Sequence, residues 1–183
     1  MCAQVDAAVA TNISLEQMLA AREQRAARQA AALARFNKPL VSMSVVMPGP
    51  VKDGQLPRRL LAEALQELEA VSDARGWCEL SREVLLRATG PEALYVMDVD
   101  AKTLKSATVA LEDRHPLGRL WDLDVITHAQ RRLSRQDLAL PARRCLLCEE
   151  PAHACSRSRR HPLDELLGAI RRIAHEHDLH SAD

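Results

Sequence analysis

The chain has 183 residues and a formal net charge of +0, from 25 Lys plus Arg against 25 Asp plus Glu, so no global field draws it to nucleic acid or anionic lipid. A hydrophobic fraction of 47% and a charged fraction of 27% are those of a folded chain rather than a disordered one. No apolar run approaches the ~20 residues of a membrane span, and the start MCAQVDAAVATN lacks the basic and long apolar segments of a signal peptide, so a cytoplasmic protein is expected.

Residues 1–12 carry no recognisable signal and are expected to be disordered; residues 13–183 are expected to form one domain. From Ser14 to Phe36 there is no Gly or Pro, Ser14 and Gln17 have the spacing of a capping box, and Leu15, Met18, Leu19 and Leu33 give a thin apolar stripe. This predicts a helix ended by the Lys38-Pro39 step. LVSMSVVMPGP reads as a strand stopped by Pro48, Gly49 and Pro50, and LLAEALQELEAVSDARG as an amphipathic helix closed by Gly76. The loop between them carries Lys52, Arg58 and Arg59 toward a helix N-terminus, where free N–H groups favour anions.

Three strand-like runs follow, WCELSREVLLRAT, EALYVMDVD and SATVALEDR. The turn RHPLG would join the third to LWDLDVIT as a hairpin, setting the strand that carries Glu112 beside the one that carries Asp122 and Asp124. The pattern weakens through LSRQDLALPARR, and PLDELLGAIRRIAHEH reads as a closing helix. The fold class expected is α+β, a mostly antiparallel sheet flanked by helices, of a nucleotidyltransferase-like kind.

Asp122 and Asp124 project from one face of their strand while Trp121, Leu123 and Val125 take the other. Paired carboxylates repel unless a cation intervenes, and Mg²⁺ takes one or two carboxylates together with phosphate oxygens, which suits phosphoryl or nucleotidyl transfer. Glu112 and Asp137 are candidate third ligands, and His115 a candidate base or phosphate contact. The alternatives are a solvated strand face, or a surface ion pair with Arg119 worth about 0 to 1 kcal/mol.

The five cysteines are Cys2, Cys78, Cys145, Cys148 and Cys155, an odd number that argues against a disulfide framework. In the Cys/Arg-rich segment 141–161, Cys145, Cys148, Cys155 and His161, with His153 nearby, are able to form a Cys3His zinc site; a redox pair or reduced thiols in a packed turn are the other readings. Arg143, Arg144, Arg157, Arg159 and Arg160 crowd the same segment, enough to grip a polyphosphate if it folds over the Asp pair, and otherwise a solvated basic surface.

Together, PLVSMSVVMPGPVKD, HPLGRLWDLDV and LPARRCLLCEEPAHACSRSRRH closely resemble the apo-citrate lyase phosphoribosyl-dephospho-CoA transferases, also called citrate lyase holo-acyl-carrier-protein synthases, from the first helix to the last. The resemblance implies an enzyme that takes 2'-(5''-triphosphoribosyl)-3'-dephospho-CoA and attaches its phosphoribosyl-dephospho-CoA part to a serine of the citrate lyase γ subunit, an acyl carrier protein, with release of pyrophosphate. On that reaction, Asp122 and Asp124 are expected to hold Mg²⁺ against the triphosphate and Arg119 to stabilise developing charge. Lys52, Arg58, Arg157 and Arg159 are candidates for the pyrophosphate end, and His115 or Glu112 for the serine proton. The alternatives are a nucleotidyltransferase using another carrier protein or an NTP, and a non-catalytic zinc-stabilised basic module. Zero net charge and 2% aromatic residues count against nucleic acid as a partner.

Overall fold

Helix α1, Leu15–Phe36, starts where the capping box does: the Ser14 hydroxyl accepts from the Gln17 N–H at 3.1 Å, and the Gln17 side chain accepts from the Ser14 N–H at 2.8 Å. It stops at Asn37, whose left-handed backbone ends the helix two residues before Pro39. The computed structural model describes residues 11–181, so Cys2 and most of the stretch expected to be disordered lie outside the described residues.

Strand β1, Leu40–Val45, leads to helix α2, Gln55–Arg75, which begins five residues earlier than the apolar run alone suggests, tolerates Pro57 in its first turn and closes at Gly76. Strands β2, Cys78–Arg87, and β3, Gly90–Asp98, form a hairpin across Ala88 and Thr89. The run SATVALEDR, expected to be a strand, is instead part of helix α3, Ala101–Arg114. Two local facts decide this: Asp100 caps the amides of Lys102 and Thr103, and Leu104, Ala107, Thr108 and Leu111 recur at helical spacing on the buried face.

After α3 the chain makes a 3-10 turn at Gly118–Leu120, strand β4 at Trp121–Ile126 and the two-residue strand β5 at Arg132–Leu133. A second 3-10 turn, Arg135–Leu138, the short helix α4, Ala152–Ser158, and helix α5, Leu163–Ser181, complete it. The expected hairpin through RHPLG is therefore a helix-to-strand connection, and Glu112 stands on α3 rather than on a neighbouring strand.

The sheet runs β2-β3-β1-β4-β5, antiparallel throughout. Its helix-packed face sets Val41, Met43, Tyr95, Met97, Trp121 and Leu123 against Leu60, Leu61 and Leu68 of α2, Leu104 of α3 and Ile170 of α5. Each such leucine, at 1% exposure or less, contributes roughly 1.5–3 kcal/mol by leaving water. On the other face a smaller cluster, Leu40, Leu94, Val96 and Ile126, is covered by Leu33 of α1. The fold is thus α+β with an antiparallel sheet between helices, as the sequence leads one to expect, and none of its described helices is long and apolar enough to cross a membrane.

Because β5 pairs only with Val125 and Ile126, the edge of β4 from Trp121 to Leu123 has no strand beside it. Side chains close that edge instead. Glu112 accepts the Leu123 N–H at 2.9 Å, Lys105 donates to the Leu123 carbonyl at 3.2 Å, and Arg143 donates to the Trp121 carbonyl at 2.7 Å. Buried backbone groups left without such partners cost about 1–3 kcal/mol each.

Gly118 lets this edge approach α3: a Cβ there would lie 2.3 Å from the Leu111 carbonyl oxygen and 2.6 Å from that of Glu112. Gly118→Ala is expected to lower stability by about 1–3 kcal/mol, read as an earlier urea midpoint. Glu112→Gln, which breaks a pair whose side chains are 6% and 13% exposed, is expected to cost about 3 kcal/mol in the same assay, while Arg87→Ala at the outer edge strand changes little.

Candidate active site

The register of β4 on β1 places Asp122 opposite Ser44 and Asp124 opposite Ser42, so both carboxylates leave the sheet on the face away from Trp121 and Leu123. Asp122 is exposed and Asp124 half-buried. Arg132 of β5 reaches Asp124 with an N–O distance of 2.7 Å. Burial, and then the charge of Asp122, push the Asp124 carboxyl above its ordinary range against the pull of Arg132 and Lys105. A cation bound between the two carboxylates would offset both causes.

Two cavities meet at Asp122. The first, about 290 Å³, lies along the side-chain-closed edge and holds Asp122, Asp124 and Glu112 among four cations, Lys105, Arg132, Arg135 and Arg143. The second, about 190 Å³, opens between α1 and the loop after β1, where Arg22, Arg25 and Lys52 face Asp122 and Ser44. Burial, with the nearby Arg22 charge, lowers the Lys52 ammonium below its usual value; its Nζ donates to the Met47 carbonyl at 2.6 Å. Arg25 joins Arg28 on Glu92, so the wall of this cavity is held by an ion-pair cluster. Two adjacent acidic groups flanked on both sides by cations suit a polyanion and a hard cation bound together.

The remaining sequence candidates are distributed unevenly. Glu112 borders the pair, yet both its oxygens are engaged, one by Leu123 and the other by Arg135 at 2.8 Å. Asp137 lines neither cavity: it bonds Ser134 in a capping box and Arg131 at 2.7 Å, which hold its carboxyl well below the usual range. His115 stacks on Trp121 with ring centroids 4.5 Å apart, accepts the Leu117 N–H on Nδ1 at 3.1 Å, and borders neither cavity; burial lowers its pKa. Arg119 donates to the carbonyls of Cys145 at 2.6 Å and Arg144 at 3.3 Å. Arg58 is paired with Asp53 at 2.6 and 2.8 Å.

Of the arginines in segment 141–161, Arg143 alone lines a cavity that contains the Asp pair. Arg144 pairs with Glu149, Arg160 lies 3.9 Å from Glu150, and Arg157 is exposed on α4. Arg159 borders a separate cavity of about 700 Å³ between α4, α5 and the loop after β1, lined mainly by Val46, Pro48, Leu146, Leu163 and Leu166. Lys105, Arg132, Arg135, Arg22 and Arg25 are the neighbours that sequence reasoning missed. For Lys105 a signal existed: with Glu112 seven residues on, it puts two opposite charges on the apolar face of one helix.

The cysteine cluster assembles. Ligand atoms of Cys145, Cys148, Cys155 and His161 all lie within 4.8 Å of one another, the one such group among the described residues. His153 is exposed on α4 and outside it. The described cysteines are all free thiols, and the Cys3His group is able to bind a metal ion.

A family profile described as apo-citrate lyase phosphoribosyl-dephospho-CoA transferase matches residues 13–177. Proteins of that name are 45% identical to this chain in Citrobacter koseri, 43% in Escherichia coli O1:K1 and 42% in Shigella boydii serotype 18, in each case over 166 residues that make up 91% of both chains. The match runs from the residue before the α1 cap into α5 and spans both cavities that meet at Asp122 and the cysteine cluster, and on it the chain belongs to the apo-citrate lyase phosphoribosyl-dephospho-CoA transferase family of enzymes.

Proposed function

We propose that the protein transfers the phosphoribosyl-dephospho-CoA group of 2'-(5''-triphosphoribosyl)-3'-dephospho-CoA to a serine of the citrate lyase γ subunit, its acyl carrier protein, in the cytoplasm. The observation that carries this reading is the carboxylate pair, Asp122 and Asp124, set between two cation-lined cavities in a chain of this family. The serine oxygen attacks the α-phosphorus of the donor. A new O–P bond forms, the bond from that phosphorus to the β-phosphoryl bridging oxygen breaks, pyrophosphate leaves, and the serine proton passes to water.

Asp122 and Asp124 would hold Mg²⁺, and the ion would supply neutralisation of the phosphate oxygens. Their side-by-side placement, with a single arginine on Asp124, fits a hard cation with oxygen ligands. Lys52, Arg22 and Arg25 bind the pyrophosphate end, and Arg132 and Arg143 face the attacked phosphorus from the opposite cavity. Glu112 positions β4 through the Leu123 N–H and holds Arg135 at the cavity wall. Arg119 acts through the backbone of Arg144 and Cys145, and His115 through its stack on Trp121. Zn²⁺ is the ion proposed for Cys145, Cys148, Cys155 and His161, since three thiolates and one imidazole are its usual structural set.

The test is incubation of the enzyme with donor and apo γ subunit in Mg²⁺, following the intact mass of the γ subunit and released pyrophosphate. Wild type is expected to add the whole prosthetic group, and EDTA to stop it. Asp122→Asn and Asp124→Asn, folded by circular dichroism, are expected to lose about 10²-fold or more in rate. Undiminished transfer by both variants would reduce the pair to a strand face. Failure of wild type with the authentic donor and acceptor, but transfer from an ordinary NTP or to another carrier protein, would move the assignment to a different nucleotidyl donor or acceptor.

A further inference from the structure

Segment 141–161 has almost nothing of its own to hold it. Cys145 and Cys155 are its only buried residues, and α4, at seven residues, is too short to stand as an isolated helix. Backbone contacts give it one narrow turn: Arg144 bridges Pro151, the Cys145 N–H donates to the Glu150 carbonyl at 2.6 Å, and the Ala152 N–H donates to the Arg143 carbonyl at 2.8 Å. Around that turn the thiols and the imidazole converge. Cys148 Sγ is 3.5 Å from Cys155 Sγ and 3.3 Å from His161 Nε2. A tetrahedral zinc with Zn–S of ~2.3 Å and Zn–N of ~2.0–2.1 Å sets its ligand atoms roughly 3.5–3.8 Å apart, close to these two separations, and all four ligand atoms lie within 4.8 Å of one another.

The segment is tied to the Asp-pair site by two reciprocal arginines. Arg143, two residues before the first zinc ligand, sends its guanidinium to the carbonyls of Trp121 at 2.7 Å, Arg119 at 2.7 Å and Gly118 at 3.0 Å, and from there lines the cavity of Asp122 and Asp124. Arg119 returns the contact from the turn before β4 to the Cys145 and Arg144 carbonyls. Arg143 is thus joined to the knuckle through the chain at Cys145 and through the return contact of Arg119.

We infer that zinc bound by Cys145, Cys148, Cys155 and His161 is a positioning device for Arg143, so that zinc loading sets the arginine that faces the carboxylate pair. The metal site stands on its own geometry; the effect on transfer rests on the function proposed above. Metal-ligand bonds supply the cross-link that apolar burial does not provide here, and the latch carries their rigidity into the active site.

The full chain, purified without chelator after growth with zinc, is expected to carry about one zinc per molecule, and the cobalt-exchanged protein to show the visible bands of tetrahedral thiolate coordination. Cys148→Ser should abolish both, while His161→Cys, which supplies a fourth thiolate, should retain them. In ¹⁵N-arginine spectra, the Arg143 side-chain signal, assigned by its loss in Arg143→Lys, should be sharp with zinc, and should broaden or vanish on chelation and in Cys148→Ser. Cys148→Ser and Arg143→Ala should each slow transfer at least about tenfold, and the double variant should be no slower than the slower single.

Wild type without zinc and without a cobalt spectrum overturns the site. Zinc binding with an Arg143 signal indifferent to chelation, or with multiplicative rate losses in the double variant, overturns the coupling. If Cys148→Ser fails to fold, chelation and His161→Cys still decide both points. If metal and Arg143 behave as expected but wild type transfers nothing, the proposed reaction falls and the zinc-to-arginine coupling stands.

Discussion

The peptide of Leu123 is the constraint around which the site is arranged. Its N–H and carbonyl face the side of β4 where no strand runs, and both are taken by the side chains of one helix, Glu112 and Lys105 of α3. Those two residues are each 5% exposed, so the bonds form away from water, where an unmet partner is most costly. A third strand in their place would have covered the cavity beside Asp122 and Asp124. A side-chain seal keeps β4 in register with β1 and leaves the carboxylate face open.

The seal also decides the electrostatics. Glu112 carries a charge into a poorly solvated place, and Arg135 and Arg143 follow it, one in contact and one 4.0 Å away. Arg135 is shared with Asp113, and Arg143 is spent largely on backbone carbonyls. The cations that serve the fold thus leave Arg132, on Asp124, as the cation in direct contact with the carboxylate pair. On the opposite side Lys52 is disfavoured as a charge by burial and then by Arg22, and a bound anion would offset both. Two adjacent carboxylates, with cations facing them from two cavities, form the local pattern that a metal triphosphate completes, in a chain whose net charge is +0.

Much of this was legible where the determinant is local. The α1 cap needs only Ser14 and Gln17, the i, i+2 spacing of Asp122 and Asp124 fixes their common face once a strand is assumed, and the four zinc-type ligands lie within one short segment. Helix α3 departs from the strand expected over SATVALEDR because its helical period and its Asp100 cap outweigh the strand preference of residues such as Thr108 and Val109. With α3 lost, Lys105 and Glu112 could not be seen to share a face. Arg22 and Arg25 were beyond reach for a different reason: they meet Asp122 only through the packing of α1 on the sheet, which also closes the cavity around Lys52, a residue legible as a cation of the loop after β1. Nearness along the chain, conversely, drew attention to His115 and Arg119, which the turn at Gly118 directs to Trp121 and to the cysteine segment.

The most direct measurement is binding of Mn²⁺, a paramagnetic stand-in for Mg²⁺, followed by loss of the free-ion resonance as protein is added with and without the triphosphate donor. Wild type should take up about one ion per chain far more tightly when the donor is present, and the folded Asp122→Asn, Asp124→Asn double variant should not. Equal, donor-dependent uptake by wild type and double variant would contradict the assignment of this strand face as the place where metal and triphosphate meet.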